Sequence, residues 1–181
     1  MRATLKIVLP LIVSVAAVSL LFAAYQVRRE KRMLRNDLSR RAEILGESLQ
    51  ESVEPLFERA QESDLQTFVE RFGQREHLIG VAIYNAAGTA VAITSAEAPV
   101  FRLRPAAAAQ AARENAGAGE FLSVDQTLAL NEDSNVPIYI YALPLHRNGE
   151  VVGTVALFHD ASYIDKQVSR KIGRASCRER V

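Results

Sequence analysis

The chain has 181 residues, 24% of them charged, with 22 basic against 21 acidic side chains and a formal net charge of +1. A balance this even gives no basic field of the kind that holds nucleic acid. A single cysteine, Cys177, rules out an intrachain disulfide and a thiolate metal centre.

In chain order, residues 1–27 come first as a short tail and a transmembrane helix. Ile7 to Val27 carries no formal charge, and at about 1.5 Å of rise per residue it matches the roughly 30 Å of a bilayer's hydrocarbon core. Pro10 falls in the first turn, where a missing N–H costs little, and Tyr25 lies at one edge, suited to the headgroup layer. A cleaved signal peptide would share the basic start at Arg2 and Lys6. Its apolar core would be shorter, and a small residue would stand near the cleavage point where this chain has Leu21 and Phe22.

Residues 28–62 form a juxtamembrane segment opened by the charge cluster Arg28 to Arg32. Apolar residues then recur at Leu34, Leu38, Ala42, Leu45, Leu49, Val53 and Leu56, one stripe along a coiled-coil-like helix. A stripe this narrow predicts the seam of a parallel homodimer, the alternative being that it packs on its own domain. Pro55 is expected to bend or end the helix, because it cannot donate to the carbonyl of Glu51.

Residues 63–170 read as one α+β domain. Ser63 and Gln66 have capping-box spacing, Leu65, Phe68, Val69 and Phe72 follow at helical spacing, and Gly73 marks the stop. The period then changes to two. Val81 to Tyr84 and Ala90 to Thr94 are strands around a turn containing Gly88, an extended crossing lies between Pro99 and Pro105, and Pro105 to Glu114 is a helix. Asn115 to Gly119 is a loop whose glycines lack the strand-to-helix context of a phosphate cradle. Phe121 to Val124, Thr127 to Leu130 and Val136 to Leu145 read as strands, with the polar insert Asn131 to Asn135 before the last. In Val136 to Leu145, Tyr139 and Tyr141 share one face and Ile138 and Ile140 the other. Asn148-Gly149 then turns the chain into Val151 to His159, and an exit helix spans Ser162 to Arg170.

No nucleophile-elbow, phosphate-loop or paired-histidine metal motif occurs, so neither catalysis nor a metal or cofactor is expected. His77, His146 and His159 stand apart and read as structural or solvated. A sheet covered by helices can enclose a small-molecule pocket, for which Tyr139, Tyr141, Arg102 and Arg104 are the candidate liners, the arginines suited to a carboxylate.

The run Leu143 to Asp160 resembles the closing hairpin of PAS-like, Cache-type sensor domains: an apolar-proline-apolar strand, a polar turn with glycine, and a glycine-containing strand leading to an acidic residue. The resemblance, over roughly Arg28 to Arg170, implies a sheet of about five antiparallel strands with flanking helices behind the transmembrane helix. It further implies an extracytoplasmic sensory input module in the bacterial inner membrane, relaying through a HAMP unit to a cytoplasmic output. Arg40 to Gln50 and Ala142 to Val168 are similar to forms fused to a trehalose-6-phosphate synthase, which would make this region the regulatory end of a membrane-tethered glycosyltransferase; another alternative is the sensor half of a histidine kinase. By the positive-inside rule alone, the basic flank after Val27 would place the domain in the cytoplasm, opposite to what the resemblance implies.

Lys171 to Val181 resembles a translated sequencing adapter, so that the natural chain would continue differently after Arg170. Without the three arginines and one glutamate of Ile172 to Val181, the charge count becomes 19 against 20. Cys177 would go with them.

Overall fold

A computed structural model describes residues 2–58, 62–72, 78–94, 99–101, 104–130 and 136–164. Gly73, His77, Arg102, the insert Asn131 to Asn135, the exit helix beyond Ile164 and the tail Lys171 to Val181 lie outside the described residues. The chain forms two compact units, Met1–Asn36 with Ile164–Val181, and Asp37–Tyr163. Helix α1 spans Arg2–Glu58. In the first unit Ile12, Val13, Val15, Val18, Leu20, Leu21 and Phe22 are all exposed. Among the described residues this is the one helix long and apolar enough to cross a membrane. Apolar side chains bare on every face suit lipid, because water would charge about 25 cal/mol for each Å² of them.

The second unit holds the last part of α1, then α2 (Glu62–Phe72), α3 (Ala106–Glu114), α4 (Val124–Leu130) and five strands. The strands are β1 (Leu78–Asn85), β2 (Ala90–Ile93), β3 (Ala118–Leu122), β4 (Ile138–Arg147) and β5 (Glu150–Asp160). They form one antiparallel sheet in the order β2-β1-β5-β4-β3. The expected five-stranded α+β architecture is present. The β4–β5 hairpin turns at Asn148 (φ 54°) and Gly149 (φ 83°), two consecutive left-handed residues that match the twist of the strands.

Both faces of the sheet are covered. One carries Ala82, Tyr84, Ile138, Ile140, Ala142, Ala156 and Phe158, packed with Val100 and Phe101 of a short 3-10 turn and with Ala107, Ala108 and Ala111 of α3. Phe101 meets Phe158 edge-on at 4.7 Å, and the buried Tyr84 hydroxyl donates to the Phe101 carbonyl at 2.8 Å. The alternate residues of β4, Tyr139, Tyr141, Leu143 and Leu145, point to the other face, where α1 lies. Of the apolar stripe on α1, Leu38, Ala42, Leu49 and Val53 are buried within the single chain, and Leu34, Leu45 and Leu56 are partly buried. Leu38, Ala42, Leu49 and Val53 thus pack on their own domain, the alternative weighed against a seam between two copies.

Four local expectations change. Helix α1 runs three residues past Pro55, so the proline sits in the last turn and removes one donor without stopping the helix. The segment between Pro99 and Pro105 includes a 3-10 turn, Pro99–Phe101, where an extended crossing was expected. Residues 124–130 are helix α4 and not a strand, since Ser123 and Gln126 make a reciprocal cap: Ser123 N–H donates to Gln126 Oε1 at 2.8 Å, and Gln126 N–H reaches Ser123 Oγ at 3.4 Å. Ser63 lies inside α2, and Gln66 is no cap. Its amide accepts from Ile93 N–H at 3.2 Å and donates to the Ile93 carbonyl at 2.9 Å, occupying backbone groups of the short edge strand β2.

Because the stripe is a core face, Leu49→Ala should lower unfolding free energy by about 2–5 kcal/mol. Ile44→Ala, on a residue 62% exposed, should change it by no more than about 0.5 kcal/mol. Urea unfolding of the two variants makes the comparison, and equal losses would contradict this packing.

Candidate functional site

Of the four residues expected to line one pocket, three are described, and they lie on opposite faces of the sheet. Arg102 lies outside the described residues. Arg104 is on the α3 face of the sheet, whereas Tyr139 and Tyr141 are on the α1 face, so they do not share a site.

On the α3 side a cavity of about 400 Å³ is lined by Val100, Arg104, Pro105, Ala106, Glu120, Leu122 and Ile140. Its walls are mainly apolar and two charged side chains stand in them, the usual make-up of a small-molecule pocket. The Glu120 carboxylate is engaged from one side: Oε1 accepts the N–H of Ala107 at 2.9 Å. A strand carboxylate thus caps the first turn of α3, whose N-cap residue Pro105 has no capping side chain. Arg104 lays its stem over the β1–β2 turn, where a Cβ on Gly88 (φ 83°) would sit 2.8 Å from Arg104 Cδ. Its Nη2 donates to the Ala108 carbonyl at 3.3 Å, while its Nε is buried with no hydrogen-bond partner among the described residues. Among the described residues this guanidinium makes that one long bond, which leaves donors for an acidic group.

On the α1 side, Tyr139 and Tyr141 lie over the edge strand. Side chains at Gly117 and Gly119 would collide with the hydroxyls of Tyr141 and Tyr139, and their Cβ atoms would stand 2.9 Å and 3.0 Å from the respective ring Cζ. The two glycines are places for phenol rings to rest, which agrees with their exclusion as a phosphate cradle. Phe121 adds a ring 4.3 Å from Tyr139. Burial raises the Tyr139 phenol, with the Glu43 charge in support and a hydrogen bond to Ser39 opposing. The Tyr141 phenol is pushed up to about 12, by burial first and then by Glu43, Tyr139 and Glu47. Both stay protonated at neutral pH and serve packing between sheet and helix.

Sequence reading missed Glu120, which falls in a strand beginning inside the expected loop. The spacing of Glu120 from the helix start carries no local signal, since the cap comes from a later strand. His159 is buried on β5, as a structural histidine would be, and among the described residues no cluster of metal-ligating side chains occurs.

The sequence matches no family model and no curated protein. Solved structures do match. The E. coli DcuS sensor domain superposes with a TM-score of 0.55 at 14% identity, covering 76% of this chain and 98% of that one. The two share a fold. The V. cholerae histidine kinase DctB sensor domain gives a TM-score of 0.54 at 16% identity, over 78% of this chain and 55% of that one, so this chain spans about half of it.

The collision at Gly119 is testable by a cycle. Gly119→Ala should cost about 1–3 kcal/mol, and adding Tyr139→Phe, which removes the obstructing hydroxyl, should return part of that loss. Strict additivity of the two changes in thermal unfolding would show that the ring does not lie on Gly119.

Proposed function

We propose that this chain is the membrane-anchored, extracytoplasmic sensory input region of a bacterial signalling protein, with α1 as the element that carries the state of the domain toward the membrane. The observation that carries this reading is a sensor-domain fold whose first helix is continuous with a segment apolar enough to span a bilayer. A second membrane helix after Arg170 and a HAMP relay to a cytoplasmic output belong to the same reading. The region has no catalytic role of its own. The output itself, kinase or glucosyl transferase, is decided by assaying the uninterrupted protein for phosphotransfer and for trehalose 6-phosphate formation. Pairing of two copies would use the outer face of α1, where Ile44 is exposed.

Orientation is the first test. A reporter active only outside the cytoplasm, fused after Ile164, should be active, and a cytoplasm-only reporter at the same place should be silent. The reverse pattern, which the basic flank favours, would remove the extracytoplasmic part of the proposal.

The ligand of the α3-side pocket is, in this reading, a small molecule with a carboxylate that pairs with Arg104. The supporting observation is the apolar cavity with a partly engaged guanidinium in its wall. In calorimetry against a panel of small mono- and dicarboxylates, binding should weaken at least tenfold in Arg104→Gln, the size of one lost charged hydrogen bond of about 1.4 kcal/mol or more. Binding unchanged by the substitution would place the ligand elsewhere.

A further inference from the structure

Three elements meet at the end of β4, at a residue the proposed sensing site does not use. His146 points one ring nitrogen at α1 and the other at α3. Its Nδ1 lies 3.0 Å from Glu54 Oε1, and its Nε2 lies 2.6 Å from Asn115 Oδ1. The same Glu54 oxygen also accepts the backbone N–H of His146 at 3.0 Å and the Gln50 side-chain amide at 3.0 Å. Asn115 is the left-handed residue that closes α3 (φ 51°), so its side chain is anchored by a helix end.

An oxygen on each side of the ring asks for two N–H donors, and only the imidazolium has two. A neutral ring keeps one of the two contacts: with the proton on Nδ1 the bare Nε2 faces Asn115 Oδ1, and with the proton on Nε2 the bare Nδ1 faces Glu54 Oε1, with the Gln50 amide nitrogen 3.5 Å away. Among the described residues, the other charged groups on these elements are Glu51 on the outer surface of α1, Arg113 and Glu114 in the last turn of α3, and Arg147 and Glu150 beside the hairpin turn. Glu54 is in direct contact with the ring and, like it, only partly exposed. Burial works to raise the Glu54 carboxyl, but bonds from Gln50 and His146 outweigh it and hold Glu54 below its ordinary value.

We propose that His146 is a proton-operated clamp that, when its imidazole is charged, ties the last turns of α1 through Glu54 to the left-handed cap of α3 through Asn115, and that loosens this tie when the imidazole is neutral, leaving the backbone bond from His146 to Glu54 in place. The clamp needs Glu54 ionised and His146 protonated. It is complete where Glu54, held below its ordinary value, is ionised and the ring carries its second proton, and it opens when that proton is lost on raising the pH. A rise in external pH would then loosen the hold of the sheet on α1, an input that enters at a different place from the pocket ligand.

The test uses the full chain in lipid nanodiscs between pH 5.5 and 8.5. Two readouts are taken: the thermal midpoint, and amide exchange in residues 50–54 after correction for the intrinsic rate. Wild type should lose stability across the window by about tenfold in its unfolding equilibrium, the lower end for a charge-assisted hydrogen bond, with exchange protection in residues 50–54 falling in step. His146→Gln should show neither pH dependence, and Glu54→Gln and Asn115→Ala should each reduce it. His77 and His159 are common to all the variants and cancel in the comparison. A His146→Gln protein that keeps the wild-type slope, or a wild type whose protection in residues 50–54 does not change with pH, would overturn the clamp.

Discussion

Helix α1 can lie on the sheet because Gly46 leaves its backbone bare where β4 rises to meet it. A Cβ at that position would stand 2.8 Å from Leu143 Cδ1 and 3.1 Å from the ring of Tyr141. Glycine inside a helix costs about 1 kcal/mol relative to alanine, so a helix that carries one in its middle gains something there. The gain is close approach, which lets Leu38, Ala42, Leu49 and Val53 be covered. Burying four such side chains is worth several kcal/mol by area, more than the glycine loses.

The same approach sets the conformation of the tyrosines. With α1 over the odd residues of β4, Tyr139 and Tyr141 are pressed sideways across β3 and its approach, which have to be bare at Gly119 and Gly117. A helix glycine, a strand glycine and the glycine before that strand therefore answer to one pair of rings. The hydroxyls end near Ser39, Glu43 and Glu47, polar residues of α1 that let a phenol sit at the rim of an apolar contact without losing its hydrogen bonding.

Much of this was legible because periodicity is local. The stripe from Leu34 to Leu56, the alternation of Ile138 to Tyr141 and the Asn148-Gly149 turn each appear in a window of a few residues, and the helix, the strand and the hairpin follow. The stripe did not reveal its partner: a narrow apolar face looks the same whether a second helix or a sheet covers it. The isolated Gly46 was the available clue, since a seam between helices gives less reason for a bare backbone than a sheet with tyrosines does. Gln66 and Ser123 show a similar limit. Both stand in capping-box patterns; only Ser123 caps, because Gln66 finds the edge of β2 within reach, a contact 27 residues away that no window contains. The pocket was half visible, since Arg104 precedes a proline-started helix, but Glu120 enters from the far end of the fold and Tyr139 and Tyr141 leave for the other face.

The division of the sheet into two faces also decides how a signal could pass. The cavity with Arg104 lies on the α3 face, while Gly46 of α1 packs on the other. A ligand there acts on α1 only through the strands, whose close-packed side chains shift together or hardly at all. The end of β4 offers a shorter connection. Asn115 closes the helix that borders the cavity, His146 ends the strand beneath it, and Glu54 belongs to α1, so one side chain is bonded to the pocket side and to the helix side at once. Any movement of α3 that a ligand requires must either carry His146 along or break its contact with Asn115. Proton and ligand would then act on the same joint, with each changing the free energy of the other by the same amount.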